Sequence, residues 1–419
     1  MISEARRRTH WYRVQAKSSA NDAILHTMNQ ENSDAAGAPF LGSPFDDPLK
    51  TWPNSDLLIA QEDREFFARH YPDFAPIFDW PELRSLFVSY DSSSARARAR
   101  SRRSGVIAVF LGFLSLSMGA TVPLVEELAE GNATHDLRTR AVLGGIAAAL
   151  AIVSIVIGYT QILRGKAKAQ WLTNRFWGER IRQFHFQLII SHLPEVVAAV
   201  KSHEKMQAWL AFRSLELDNF KQEYLRGVGD KVHHLDEDEA EDRPWISEVW
   251  SHACDVPPSS PELDTLLKLL EQQRFGIQHR YTERRLMIGW HSPDTRSQWV
   301  SKLSDALTAV LLLATVTVGI GSIDAFFENT NPSYRIIVAF IAALSSSSVV
   351  AMRALKEGLL FGADAERYKW YSAAVRTLYH RFEHADRQQK VQLLRELEHV
   401  AYQEMRRFIL AVKQARFVM

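Results

Sequence analysis

"SSSARARARSRRSGVIAVFLG", residues 92–112, sets five arginines within eight positions, Arg96, Arg98, Arg100, Arg102 and Arg103, against a sudden apolar run. Such a stretch is either an arm that grips nucleic acid or the charged border of a membrane segment. The rest of the chain separates the two. Its 419 residues hold 50 Lys plus Arg against 49 Asp plus Glu, so the basic run is local and the protein as a whole is no polyanion binder. No aromatic or recognition module accompanies the arginines, and nucleic acid is not expected as a partner. Directly after them, residues 105–124 run without one charged side chain. A helix rises 1.5 Å per residue, so roughly 20 such residues cover the ~30 Å hydrocarbon core of a bilayer.

Three further runs share this character. Residues 141–163 are uncharged, residues 306–327 are interrupted only by Asp324, and residues 336–352 carry Ser345, Ser346, Ser347 and Ser348. An apolar core helix of a soluble protein usually stops at about 10–14 such residues, so all four read as transmembrane helices. The connections at 125–140 and 328–334 are too short for domains, which pairs the spans into two hairpins. Basic residues border the cytoplasmic ends of spans. The five arginines precede the first span, Arg164, Lys166 and Lys168 come after the second, Lys302 precedes the third, and Arg353 and Lys356 come after the fourth. Both hairpins are therefore expected to enter from the cytoplasm and return to it, in the cell (inner) membrane, with both termini inside. On this reading the arginine run is a topology signal. Each arginine adds about 1 kcal/mol of attraction to anionic lipid.

The remaining chain is helical in pattern. Trp171, Arg175, Phe176, Arg180, Phe184, Leu188 and Ile189 recur at helical spacing after the second span, as do Leu394, Leu397, Val400, Met405, Phe408 and Val412 near the end. Residues 386–390 read as a turn between two helices. The expected class is an all-α membrane protein, four spans in two hairpins above a long-helix cytoplasmic bundle. Its expected organisation is a mobile tail (1–50), a pre-membrane helical segment (51–104) and hairpin one (105–163). Then come a cytoplasmic helical region (164–303) with an acidic linker (226–261), hairpin two (304–352) and a C-terminal helical hairpin (353–419). A cleaved signal peptide is not expected, since no apolar stretch comes after Arg6, Arg7 and Arg8.

Candidate sites are few. One cysteine, Cys254, excludes an internal disulfide. His233, His234, His252 and Cys254 are metal-capable and close in sequence, but they share the acidic linker and lack a ligand spacing. A solvated loop is expected there, with no metal and no cofactor. No phosphate-binding loop or dinucleotide fingerprint occurs, and no enzymatic activity is expected. Apart from Asp324 the spans hold no Lys, Arg, Asp or Glu, which argues against a pump or ion-coupled transporter. Their polar content is hydroxyl and small. Gly144, Gly145, Ser154, Gly158, Gly319 and Gly321 are expected to pack helices closely. Successive helix positions turn by about 100°, so four consecutive serines cannot all meet one neighbour. Thr315, Thr317, Ser322 and Ser345 to Ser348 are the candidates for lining a pore.

"AERYKWYSAAVRTLYHRFEHA" after the last span, "LLRELEHVAYQEMRRFI" beyond it and "RFGIQHRYTERR" before the third together resemble the SLATT family, membrane hairpins followed by a long helix bearing Ala and Tyr. The first hairpin, with "WLTNRFWGERIRQFHF" after it, looks like a more divergent second copy. The resemblance implies a membrane effector of a bacterial (antiviral) defence system that forms pores when a partner senses infection. It offers no catalytic residues. The expected function is an oligomeric, ion-permeable channel gated through its cytoplasmic helices. Its expected partners are the lipid bilayer, further copies of the chain, and a cytoplasmic protein or nucleotide-signal sensor. The alternative is a membrane-anchored scaffold or sensor that binds a protein partner and conducts nothing.

Overall fold

The arginines and the apolar run after them belong to one uninterrupted helix. In the computed structural model, which describes residues 55–128, 133–163, 166–222, 256–287, 292–326 and 332–415, this helix is α3, Pro81–Leu128. Two short helices precede it, α1 (Gln61–His70) and α2 (Ala75–Phe78). At 1.5 Å per residue its 48 residues reach about 72 Å, more than twice a hydrocarbon core, so one helix serves both a span and the body beside it. Then come α4 (Ala133–Ile157), which widens into a π turn at Gly158–Leu163, α5 (Lys166–Ser191), α6 (Leu193–Lys201) and α7 (His203–Phe220). α8 (Pro261–Leu270) runs through a π segment, Glu271–Gly276, into α9 (Ile277–Leu286). The chain closes with α10 (Pro293–Phe326), α11 (Pro332–Leu359), α12 (Phe361–Glu383) and α13 (Arg387–Gln414). No strand occurs among the described residues, and four helical stretches are long and apolar enough to cross a membrane. The chain is an all-α, multispan membrane protein.

The apolar stretches pack in a row, α4 on α3, α3 on α11, α11 on α10. α3 and α4 run antiparallel. Ser115 Oγ donates to the Ala147 carbonyl at 2.7 Å, and Ser154 Oγ donates to the Ala108 carbonyl at 2.8 Å, so a step back along α3 is a step forward along α4. The inner position of α11 shows in its burial. Val338, Ser345 and Val349 are buried along one face, while Ser347, Ala351 and Ala354 are buried along the opposite one. Ala351 and Ala354 meet Val109 of α3, and the first face is left for α10. The outward sides of the row carry large apolar residues such as Ile152, Ile155, Leu312 and Leu313, an arrangement suited to hydrocarbon and costly in water.

Beyond the spans, α5 is the spine of a helical body, with α3, α6 and α13 packed around it. Every residue from Arg180 to Ile190 is buried, the pattern of a helix enclosed on all sides. The helix ends nearby obey local rules. Ser260 caps α8 by accepting from Leu263 N at 3.2 Å, with Pro261 in the first turn. Residues 386–390, expected as a turn, are corrected to a helix start. Asp386 accepts from Gln389 N at 2.8 Å while its own N–H donates to the Gln389 side chain at 3.2 Å, a capping box that begins α13 at Arg387. The actual break after the fourth span is Leu360, at φ +56°, where α11 gives way to α12. Gly362 stands just beyond it, where a Cβ would come within 3.4 Å of Ser297 Oγ of α10. The expected tail at 1–50 and most of the acidic linker lie outside the described residues.

Candidate functional site: a buried charge lattice beside the spans

α5 carries Arg180, Arg182, Gln183, His185 and Gln187 into full burial, and burying charge costs several kcal/mol unless each group is paired. The pairing comes from five other elements. The π segment offers Arg274, whose guanidinium grips the Glu398 carboxylate of α13 with two hydrogen bonds, at 2.5 and 2.9 Å. Its third contact is Asp56 Oδ2 at 3.3 Å, from the 3-10 turn Ser55–Leu57 ahead of α1. The same carboxylate forms an ion pair with Arg182 at 3.2 Å and accepts from Gln278 of α9 at 3.4 Å. Gln278 in turn accepts from the Tyr371 hydroxyl of α12 at 3.2 Å. Arg182 also reaches Glu179 at 3.0 Å, and Glu179 takes Arg175 at 2.6 Å. Gln183 accepts from Arg180 at 2.7 Å and donates to the Glu398 carbonyl at 3.2 Å. Phe186 and Phe87 lie under the Arg274 and Arg182 guanidiniums at 4.9 and 5.1 Å.

Burial pushes the Asp56 and Glu398 carboxyls up, against the pull of their arginines. Glu179 goes the other way. Burial would raise it, but Arg175 and Arg182 outweigh that and hold it below the usual carboxylate range. His185 has no hydrogen bond to either ring nitrogen, and burial, with Arg213 and Arg274 adding repulsion, lowers it to about 3. It is a neutral imidazole among Phe78, Trp80 and Phe186. Chemically the lattice is a clamp. It draws together the segment before the first span, the helix after the second, the segment before the third and both helices after the fourth.

The arginine run divides around α3. Arg98 and Arg102 share one side and both lie over the Trp171 ring of α5, 5.8 Å from its centroid, with Arg102 3.8 Å from Asp364 of α12. Arg96, Arg100 and Arg103 take the other side and are exposed. Within the spans, Thr315 is exposed and donates to the Leu311 carbonyl at 2.8 Å, and Thr317 donates to Leu313 at 2.8 Å. Ser345 and Ser347 are buried between helices, Ser346 is exposed, and Ser348 donates to Leu344 at 2.7 Å. A Cβ on Gly144, Gly145 or Gly158 would meet nothing within 4 Å, so no described part of the same chain closes on them. The side chain of Ser322, the surroundings of Gly319 and Gly321, the side chain of Lys166, and Arg164, His233, His234, His252 and Cys254 lie outside the described set.

One cluster escapes a reading centred on the acidic linker. His380, Glu383 and His384 at the end of α12 bring donor atoms within 4.8 Å of one another, all three exposed. Their His-x-x-Glu-His spacing, which puts the histidines one helical turn apart, is the signal that finds them. The buried lattice has no such signal, because its members are scattered along the chain. With its fold and lattice in view, the protein defines itself as a multispan helical membrane protein. No known protein family, curated protein or solved structure matches the chain.

Proposed function

We propose that the chain assembles with copies of itself into an ion-permeable channel, gated through the helices beyond its spans. The proposal includes the SLATT likeness, a bacterial defence role without catalysis, and an inner-membrane topology with both termini cytoplasmic. The observation that carries it is the lattice. Asp56, Arg182, Arg274, Gln278, Tyr371 and Glu398 link segments adjoining all four spans, so a partner that shifts one of the clamped helices shifts the others with it. Four helices in a row leave no lumen of their own, so the path lies between copies. Of the candidate hydroxyls, Ser346 and Thr315 are exposed on the row's outer sides and able to face it.

Purified protein in liposomes should dissipate a potassium gradient. Ser346→Leu should cut the flux several-fold with no change in assembly size. Vesicles that stay tight across salt, voltage and protein density sink the channel. The scaffold reading gains from one observation: Thr315, Thr317, Ser347 and Ser348 spend their hydroxyl protons on carbonyls of their own helices. It expects no flux and an unchanged Ser346→Leu variant.

A further inference from the structure

The lattice sets Arg175, Arg182 and Arg274 against Glu179, Asp56 and Glu398, but the arginines nearest the spans have less to face. Arg98 and Arg102 stand one turn apart on α3, a like-charge spacing that destabilises a helix by itself. Both lie over the same Trp171 ring. Arg285 of α9 lies over Tyr281 at 5.3 Å and Tyr368 at 6.0 Å, and the two tyrosine hydroxyls are 3.3 Å apart. Arg98 lies in the repulsive field of Arg285 and Arg175, and Arg102 in that of Arg98 and Arg296. Arg175 is neutralised by Glu179 at 2.6 Å. Among the described residues the one carboxylate paired with the group is Asp364, which already holds Arg367 at 2.9 Å and stands 3.8 Å from Arg102. Cations from α3 and α9 thus converge on one place with too little negative charge to balance them.

The rings explain how such a cluster is held. A guanidinium has five N–H donors, so one held over an aromatic face keeps donors to spare, even where, as at Arg285, one of them is spent on the Tyr281 hydroxyl. Planar forks held in that way suit the oxygens of a phosphate group, which accepts several charge-assisted hydrogen bonds at once. The place is open, since Arg98 and Arg285 are exposed and the Arg102 side chain is 25% exposed. It is also close to the spans. Arg102 precedes the charge-free run at Gly105 by three residues, which is about 4.5 Å along α3.

We propose that Arg98, Arg102 and Arg285, set around the Tyr281–Tyr368 pair, bind a phosphate-bearing anion at the basic edge of the spans. A phospholipid headgroup and a soluble phosphate share this chemistry, and the depth of Arg102 favours the lipid. Only that choice of source rests on the membrane reading; the site itself does not require conduction. An anion bound there joins α3 of the first half to α9 of the second, beside α12.

The test uses the full chain in neutral detergent, with thermal unfolding followed as short-chain dioctanoyl phosphatidic acid is added. Dioctanoyl phosphatidylcholine serves as the uncharged comparison, and inorganic pyrophosphate as the soluble source. Phosphatidic acid should raise the melting temperature saturably, and phosphatidylcholine should not. Arg98→Gln and Arg285→Gln should each weaken the response about tenfold, whereas Arg100→Gln and Arg103→Gln, on the far side of α3, should leave it unchanged. If Arg98→Gln melts early without ligand, Arg98→Lys replaces it, since it keeps the charge but loses the fork. Response to phosphatidic acid alone assigns the site to lipid, and response to pyrophosphate as well extends it to soluble phosphate. No response to either, or equal losses in the Arg98 and Arg100 variants, overturns the proposal. Binding is read without flux, so its failure leaves the channel untouched, and tight vesicles would leave this site standing.

Discussion

His185 shows how much a single buried side chain can carry. Its imidazole is 1% exposed, has no hydrogen bond, and is lowered from 6.5 to about 3 by burial first and by Arg213 and Arg274 after. Below pH 6.5 the unfolded chain takes up a proton that the folded chain refuses, so stability falls as the medium is acidified and keeps falling until about pH 3. At pH 5 this one residue should cost about 2 kcal/mol. Unfolding of the detergent-solubilised protein at pH 7.5 and pH 5 measures it. His185→Phe, which keeps an aromatic ring beside Phe78 and Trp80, should lose that share of the acid sensitivity. An identical pH slope in both proteins would show that the imidazole titrates freely. Nothing in "RIRQFHFQLII" announces this residue, since Arg180, Arg182, Gln183 and Gln187 beside it make the stretch look like an exposed face.

The π segment, an element of six residues, decides where the lattice can form. Gln273, Arg274 and Phe275 are all buried in succession, which the 100° step of an α-helix does not allow against one flat neighbour. Widening the turn sends Arg274 toward Glu398 and Asp56 while Phe275 packs on Phe382 with ring centroids 5.0 Å apart. Breaking a buried pair from one side costs about 3–5 kcal/mol, because the partner charge stays behind without compensation. Arg274→Met should therefore destabilise the protein by that amount, while Arg274→Met combined with Glu398→Leu should cost clearly less than the two single losses added. Chemical denaturation of all four proteins gives the coupling, and strict additivity would mean that the two side chains do not depend on each other. The strong helical periodicity of α13 makes that element plain in the sequence. Its start is harder to place, because the Asp386–Gln389 box uses residues that also favour turns.

At the scale of the molecule, the row of spans fixes what may face lipid and what must face protein. Thr315 and Ser346 are open, Ser345 and Ser347 are enclosed, and a sequence in which four serines stand side by side gives no means of telling them apart. Topology is tested with single cysteines in a Cys254→Ser background, since Cys254 is the one native thiol. Gly131→Cys and Asn331→Cys should react with a membrane-impermeant maleimide in intact cells, whereas Ser92→Cys and Asp386→Cys should react only after lysis. Labelling of Ser92→Cys from outside would reverse the proposed orientation.

The sequence by itself determined the class of the protein. A hydrocarbon layer demands about twenty residues without charge, and such a demand is met locally, residue after neighbouring residue, where it can be read directly. Only the tertiary structure decided the order of the spans, the split of the arginine run into two sides, and the lattice that joins Asp56 to Arg274 across 218 positions and Arg274 to Glu398 across 124. Pairing of that kind depends on which surfaces meet in space, and burial makes it strong just where separation along the chain makes it invisible.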